Sequence, residues 1–190
     1  MTLNYVDIAK VILNESTINK YPQYFSKREI FSFINHDDQK RKYCSSWFNK
    51  YFAKLLANKK VKYYSISHSG KYVIFIASNN RVGVDIQAST KINYQLVAER
   101  LFNRDELDKK ILQKEFYQLW CCKEALIKTL NKSTKYGIKD LKICKNNNTY
   151  YAYFKNHKYY FKVGTLNKHI FAICSSKKIT SINRAKINIE

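Results

Sequence analysis

Three short stretches of the chain carry side chains of the kinds that do chemistry. They are Ile66-Ser67-His68-Ser69-Gly70, Val82-Gly83-Val84-Asp85-Ile86 and Trp120-Cys121-Cys122-Lys123-Glu124-Ala125-Leu126-Ile127-Lys128. Carboxylates, an imidazole and an ammonium group suit proton transfer and the neutralisation of negative charge. Each stretch also has a plain structural reading. An Asp ending an apolar strand often caps the next segment, a Lys-Glu pair on a helix is usually a solvated face, and a Ser-x-Ser-Gly run is often only a turn. Cys122, beside these charges, reads better as a small buried hydrophobe than as a nucleophile.

Spacing sharpens the third stretch. At 3.6 residues per turn, Trp120, Glu124 and Lys128 fall at i, i+4 and i+8, on one stripe of a helix. Trp favours burial, so a stripe shared with it is a poor fit to a solvated face. Glu124 precedes Lys128 in the orientation that favours an intrahelical pair, and a Glu–Lys pair beside a core Trp stays open as an alternative.

The elements that must position these residues follow from periodicity. From roughly Thr17 to Leu56, Phe31, Ile34, Trp47, Phe48, Tyr51, Phe52 and Leu55 recur at helical steps, with Asn35-His36-Asp37-Asp38 as a helix cap. Tyr63–Ser67 and Tyr72–Ile76 read as strands around a turn at His68-Ser69-Gly70-Lys71, and Val82–Ile86 as a third strand. Helices are expected at Tyr94–Phe102 and Lys114–Leu130. Strands are expected at Leu141–Cys144, Tyr150–Phe154, Tyr159–Val163 and Ile170–Cys174. Helices, strands, helices, strands make an α+β order rather than a strictly alternating one. Lys71–Ser78 also echoes Lys168–Ser175, a hint of two related halves.

Bulk composition bounds the setting. The chain has 190 residues, 45% of them hydrophobic, which is enough apolar material for a core. No apolar run is long enough to span a bilayer. The first residues carry an early acid, Asp7, and lack a basic segment followed by an apolar one, so a soluble, cytoplasmic protein is expected. Lys and Arg number 35 against 14 acids, a formal charge of +21 that favours anionic partners, although a Lys-, Asn-, Ile- and Tyr-rich composition also explains part of it. The five cysteines form no Cys-x-x-Cys pair, which argues against a zinc site and a disulfide framework.

Taken in order, the ISHSG stretch, the VGVDI strand and the WxxKEAxxK helix resemble the signature of the 4′-phosphopantetheinyl transferases of the Sfp type. The resemblance covers Tyr63 to Ser175 and continues loosely through Phe25-Ser26-Lys27-Arg28-Glu29 and Asp38-Gln39-Lys40-Arg41. It implies two similar α/β-sandwich halves related by a pseudo-twofold, here 1–82 and 83–190, with coenzyme A between them. It implies Asp85 and Glu124 as Mg²⁺ ligands, with Glu124 also a base. Lys128 would be a catalytic residue meeting the coenzyme A phosphates. Ser67 and His68 would contact the nucleotide end, with Lys123 and Arg41 as further coenzyme A contacts. Mg²⁺ prefers oxygen ligands, typically one or two carboxylates plus phosphate and water, which agrees with these residue types.

Two departures from the family pattern stand out. Gln87 replaces an acid two positions after Asp85, so it would hold a water or a phosphate oxygen rather than the metal. The usual Gly-Lys-Pro loop is absent, since Ala57-Asn58-Lys59-Lys60 leads almost directly into the strand, and Arg41 and Lys27 are the residues that would compensate. The expected partner is an acidic acyl or peptidyl carrier protein, with no nucleic acid, no membrane and a monomeric state. The alternatives are a basic nucleic-acid-binding module and an inactive homologue that binds carrier protein.

Overall fold

The computed structural model describes residues 1–7, 61–90, 92–107, 111–131, 137–147 and 149–187. The helical stretch from Thr17 to Leu56 with its cap, the basic segments at Lys27 and Arg41, the Ala57–Lys60 run and Cys44 lie outside the described residues.

In chain order the described elements are β1 (Thr2–Asp7), β2 (Tyr63–Ser69), β3 (Tyr72–Ser78), β4 (Val82–Ala88), α1 (Tyr94–Leu101), α2 (Arg104–Leu107) and α3 (Gln113–Thr129). A 3₁₀ turn at Ile138–Asp140 follows, then β5 (Cys144–Asn146), β6 (Thr149–Phe154), β7 (His157–Leu166), β8 (His169–Ser175) and β9 (Asn183–Lys186). They form an α+β arrangement of two sheets, with strand orders β2-β3-β1-β9 and β4-β8-β7-β6-β5.

Aromatic and β-branched residues dominate the strands, and each hairpin closes where the chain can adopt a left-handed conformation. Gly70 has φ 54° between β2 and β3, and Asn167 has φ 51° between β7 and β8. Gly and Asn reach that region at low cost. The echoing segments seen in the sequence are β3 and β8. Each is the second strand of its hairpin, and each lies between its hairpin partner and an earlier strand, β1 or β4.

Two apolar clusters hold the described chain together. In one, Phe116, Cys121, Cys122 and Ala125 of α3 pack on Ala152, Phe161, Ala172 and Cys174 of the second sheet. In the other, Leu3, Ile74 and Ile76 of the first sheet meet Val84, Ile86, Phe171 and Ile173 of the second. Strands β4 and β8 are therefore buried on both faces, which is why β8 reads as an almost unbroken apolar run. Alternation along β4 turns Val82, Val84 and Ile86 to the inter-sheet core and Gly83, Asp85 and Gln87 towards α3.

Several expectations need correction. His68 and Ser69, expected in the turn, belong to strand β2, and the turn is confined to Gly70 and Lys71. The strand expected at Leu141–Cys144 begins only at Cys144. The carbonyl of Leu141 instead accepts from Lys123 Nζ at 2.6 Å, and the amide of Ile143 donates to Glu106 Oε1 at 2.9 Å. Side chains satisfy this buried backbone, so no strand partner is required. Strands β1 and β9 carry no clean alternation and were not anticipated. β9 returns from the far end of the chain to pair parallel with β1.

Candidate active site

Gly83 sets how closely β4 and α3 approach. A Cβ at this position would lie 2.1 Å from the Ala125 carbonyl oxygen and 2.5 Å from Thr129 Oγ1. Without that carbon, the helix backbone rests against the strand. Glu124 and Lys128, each immediately preceding one of those two contact residues, are thereby carried to Asp85.

Strand β2 approaches β4 from the other side. Ser65 Oγ accepts from the Val84 amide at 3.0 Å, and Ser69 Oγ accepts from the Ala88 amide at 2.8 Å. These two edge strands are joined by hydroxyls at alternate positions. Between them, Ser67 Oγ donates to Asp85 Oδ1 at 2.8 Å.

Asp85 is only 3% exposed, so its charge requires partners. Lys128 Nζ donates to Asp85 Oδ1 at 2.8 Å and to the Val84 carbonyl at 3.1 Å. Gln87 Nε2 donates to the other carboxylate oxygen, Oδ2, at 3.1 Å. Gln87 thus approaches Asp85 on the same strand face, as its spacing implied, and it does so as a donor to the carboxylate. The intrahelical Glu124–Lys128 pair left open by the sequence does not form among the described residues, because the ammonium crosses to β4 instead.

Glu124 is half-buried one turn before Lys128. Burial raises its carboxyl pKa above the ordinary range, the charge of Asp85 adds to the rise, and Lys128 partly offsets it. His68 keeps contact with solvent, yet desolvation in the cleft lowers its pKa, with Lys128 acting in the same direction and Asp85 against it. A cleft of about 830 Å³ opens at the seam of the two sheets, with Lys62, Tyr64, Ser67, His68, Asp85 and Lys128 in its lining. Lys62 and Tyr64 were not singled out from the sequence; their position on β2 and its approach, beside Ser67 and His68, is the signal that would have found them.

Lys123 is not in that cleft. Its side chain is fully buried, with Nζ 2.8 Å from Glu106 Oε2, 3.2 Å from the Ile138 carbonyl and 2.6 Å from that of Leu141. An ammonium has three protons, and these three acceptors take them all. Burial lowers its pKa, and Glu106 counteracts this. The expected contact from Lys123 to coenzyme A is therefore replaced by a structural one, which ties α3 to α2 and the 3₁₀ turn. Arg41 lies outside the described residues. Cys121, Cys122 and Cys174 are buried, and burial pushes the Cys174 thiol up to about 12, so none is poised as a thiolate. Among the described residues no group of three or more His, Cys, Asp or Glu side chains gathers as a metal site, and no helix is long and apolar enough to cross a membrane.

Asp85 and Lys128 thus line the cleft at the seam of the two sheets, and Glu124 lies one helical turn before Lys128, within reach of the charge of Asp85. Residues 81–174 match the family model of the 4′-phosphopantetheinyl transferase superfamily. This stretch, 94 of the 190 residues, holds Asp85, Glu124 and Lys128. The chain is similar to the 4′-phosphopantetheinyl transferase gsp of Aneurinibacillus migulanus, at 32% identity over 50% of this chain and 43% of the relative. It is 34% identical to the transferase psf-1 of Bacillus pumilus over 40% of this chain and 35% of the relative. It is 35% identical to the transferase Sfp of Bacillus subtilis over 35% of this chain and 32% of the relative. The chain thus spans less than half the length of these curated relatives.

Proposed function

We propose that the protein is an Mg²⁺-dependent 4′-phosphopantetheinyl transferase, moving phosphopantetheine from coenzyme A to a serine of an acyl or peptidyl carrier protein. The observation that carries this reading is the convergence of Asp85, Glu124 and Lys128, with Lys128 Nζ 2.8 Å from Asp85 Oδ1, on the stretch that matches the family. The donor set fits a hard cation. Both carboxylates offer oxygen, and Glu124 bears the cost of burial first and then of the charge of Asp85, which Lys128 only partly relieves. When bound, Mg²⁺ would supply charge neutralisation at the coenzyme A pyrophosphate.

The chain's own groups account for the rest. Glu124, with its pKa raised, is suited to accept the proton of the carrier serine. The serine oxygen bonds to the β-phosphorus, the bond from that phosphorus to the bridging oxygen breaks, and adenosine 3′,5′-bisphosphate leaves. Lys128 would shift from Asp85 towards the phosphate oxygens and stabilise their developing charge. His68, neutral at pH 7, would donate to the nucleotide phosphate. In this reading the halves 1–82 and 83–190 are related by a pseudo-twofold, which the matching placement of β3 and β8 supports. The surplus of basic residues would attract an acidic carrier.

The test is incubation with coenzyme A, Mg²⁺ and apo-carrier proteins, followed by intact mass. One phosphopantetheine per carrier is expected, and none in EDTA. Mass gain that persists in excess chelator would remove the metal from the mechanism.

A second reading, binding of single-stranded nucleic acid, is favoured by one surface. On the outward face of β6 and β7, Lys158 Nζ lies 4.6 Å from the Tyr151 ring centroid and 5.6 Å from those of Tyr153 and Tyr160. Rings interleaved with ammonium groups suit base stacking. A salt-dependent mobility shift with an oligonucleotide, lost in Tyr153→Ala, would support it.

A further inference from the structure

We propose that His169 is a proton-sensitive wedge at the seam of the two sheets: its neutral ring keeps the seam closed beside the cleft, and a protonated ring opens it. The proposal goes beyond the transferase reading and does not depend on it. The inter-sheet core ends in two rings. Alternation from Ile76 and Ile74 brings Tyr72 to the core face of β3, and alternation from Ile173 and Phe171 brings His169 to the core face of β8. The rings meet edge to face, with centroids 4.9 Å apart and planes at 89°.

Tyr72 and His169 hold matching places in the echoing segments Lys71–Ser78 and Lys168–Ser175. Before each segment stands the left-handed residue of a hairpin, Gly70 or Asn167. The match fails in one respect. Asn167 Nδ2 donates to the Tyr72 hydroxyl, whereas Gly70 has no side chain to offer His169. Both imidazole nitrogens are shut off from solvent and have no hydrogen-bond partner among the described residues. Burial lowers the pKa of this ring, Lys71 adds to the fall, and the nearby Ser69 backbone opposes it.

The slot around the ring is tight. A Cβ on Gly70 would lie 2.7 Å from His169 Nε2, and the residue of β4 opposite His169 is Ala88. The Ala88 amide donates to Ser69 Oγ at 2.8 Å, the last of the hydroxyl rungs between β2 and β4. Ser69 directly follows His68 of the cleft. The charged groups near the ring are Lys71 in the β2–β3 turn, Asp7 of β1, which pairs with Lys71 at 3.2 Å, and exposed Lys168 in the β7–β8 turn. β3 presents Tyr72, while β4 and β7 present Ala88 and Leu166, which do not titrate. Protonation would thus give the ring two donors without an acceptor and a positive charge beside Lys71. The charged ring is hydrated only by leaving its slot, which parts the Gly70 turn from the end of β4. Because the folded pKa lies below 6.5, closure is complete above pH 6.5 and weakens as pH falls below it.

Amide hydrogen exchange reads the opening. As pH falls from about 6.5 to about 5.5, protection at the Ala88 amide is expected to drop about 3–10-fold further in wild type than in His169→Leu, tenfold being the limit for one proton per pH unit. Protection at the Ile173 amide, in the middle of β8, should change alike in both proteins. His68 and Glu124 titrate in both and cancel in the comparison. His169→Gln takes the place of the leucine variant if that one folds poorly. Equal pH dependence at Ala88 in wild type and variant would overturn the proposal. So would Ile173 protection that falls as far as that of Ala88, since the proton would then act on global stability and not on the seam. A His169 ring that titrates at or above 6.5 by NMR would overturn it as well.

Discussion

Lys128 and Asp85, separated by 43 positions in the sequence, meet at 2.8 Å, while Glu124, one turn from Lys128 on the same helix, receives no bond from it. The ammonium therefore stands on the carboxylate that a metal ion would need. Removing it should make Asp85 more available. Lys128→Met is expected to bind Mn²⁺ more tightly in the absence of coenzyme A, by about tenfold, or ~1.4 kcal/mol, while losing transfer activity for want of a phosphate partner. Unchanged Mn²⁺ affinity would mean that the lysine yields its place at no cost.

Glu124 gives a pH-dependent prediction for metal-free protein. Its pKa is raised in the folded chain from the ordinary 4.5, so the folded state holds the proton more tightly than the unfolded state. Stability is then lost as pH rises through 4.5 towards the folded value, and the full penalty persists above it. Glu124→Gln removes the charge. In EDTA it should raise Tm at pH 7 and have little effect near pH 4, with transfer activity abolished. Equal effects on Tm at both pH values would contradict the burial of this carboxylate.

Lys123 and Glu106 form the pair whose loss should be felt in folding rather than in catalysis. Breaking a buried pair from one side typically costs about 3–5 kcal/mol. Lys123→Met should therefore lower Tm by roughly 6–20 °C, with KM for coenzyme A unchanged for the molecules that remain folded. Adding Glu106→Gln should recover part of the loss. A KM that rises while Tm holds would return Lys123 to the cleft.

At Gly83 a single methyl group tests the contact between strand and helix. Gly83→Ala forces a carbon against the Ala125 carbonyl, and overpacking of this kind costs roughly 1–3 kcal/mol. Activity should fall further than stability implies, because α3 carries both Glu124 and Lys128, and displacement by about 1 Å can cost ~100-fold. Circular dichroism melts beside transfer kinetics would show whether the two losses separate.

His68 should take up a proton when an anion arrives. Its pKa is lowered in the empty cleft, first by desolvation and then by Lys128, and a phosphate beside it would reverse that. Calorimetry of adenosine 3′,5′-bisphosphate binding near pH 6, in buffers of different ionisation enthalpy, should show more proton uptake for wild type than for His68→Gln. Identical uptake would place the phosphate elsewhere.

The parts of the site that were legible in the sequence are those written in short-range spacing. The Trp120, Glu124, Lys128 stripe needs only a helix, and the alternation of Gly83, Asp85 and Gln87 needs only a strand. Strand β1 depends on partners far away, with Leu3 opposite Ile76 and Thr2 opposite Asn183, so no local pattern announces it. The polar strand β9 is still harder to see. Lys123 was misplaced for a different reason. Neighbours on a helix point about 100° apart, and the side chosen by Lys123 was decided by Glu106 on another helix. The serines of β2 alternate visibly, but their task became clear only once β4 lay beside them.

The pairing of β1 with β9 ties the order of folding to the order of synthesis. The Asn183 amide donates to the Met1 carbonyl at 3.0 Å, so the first sheet lacks β9 until synthesis has passed residue 183. At roughly 5–20 residues per second, β1 waits some 10–40 s for that neighbour. During the wait β3 is its one partner among the described strands, and the edge that β9 will cover stands open to strands of any nearby nascent chain. Contacts of such long sequence separation also slow the final closure. A released chain truncated before Asn183 should therefore show a second sheet protected from proteolysis while β1 is readily cleaved.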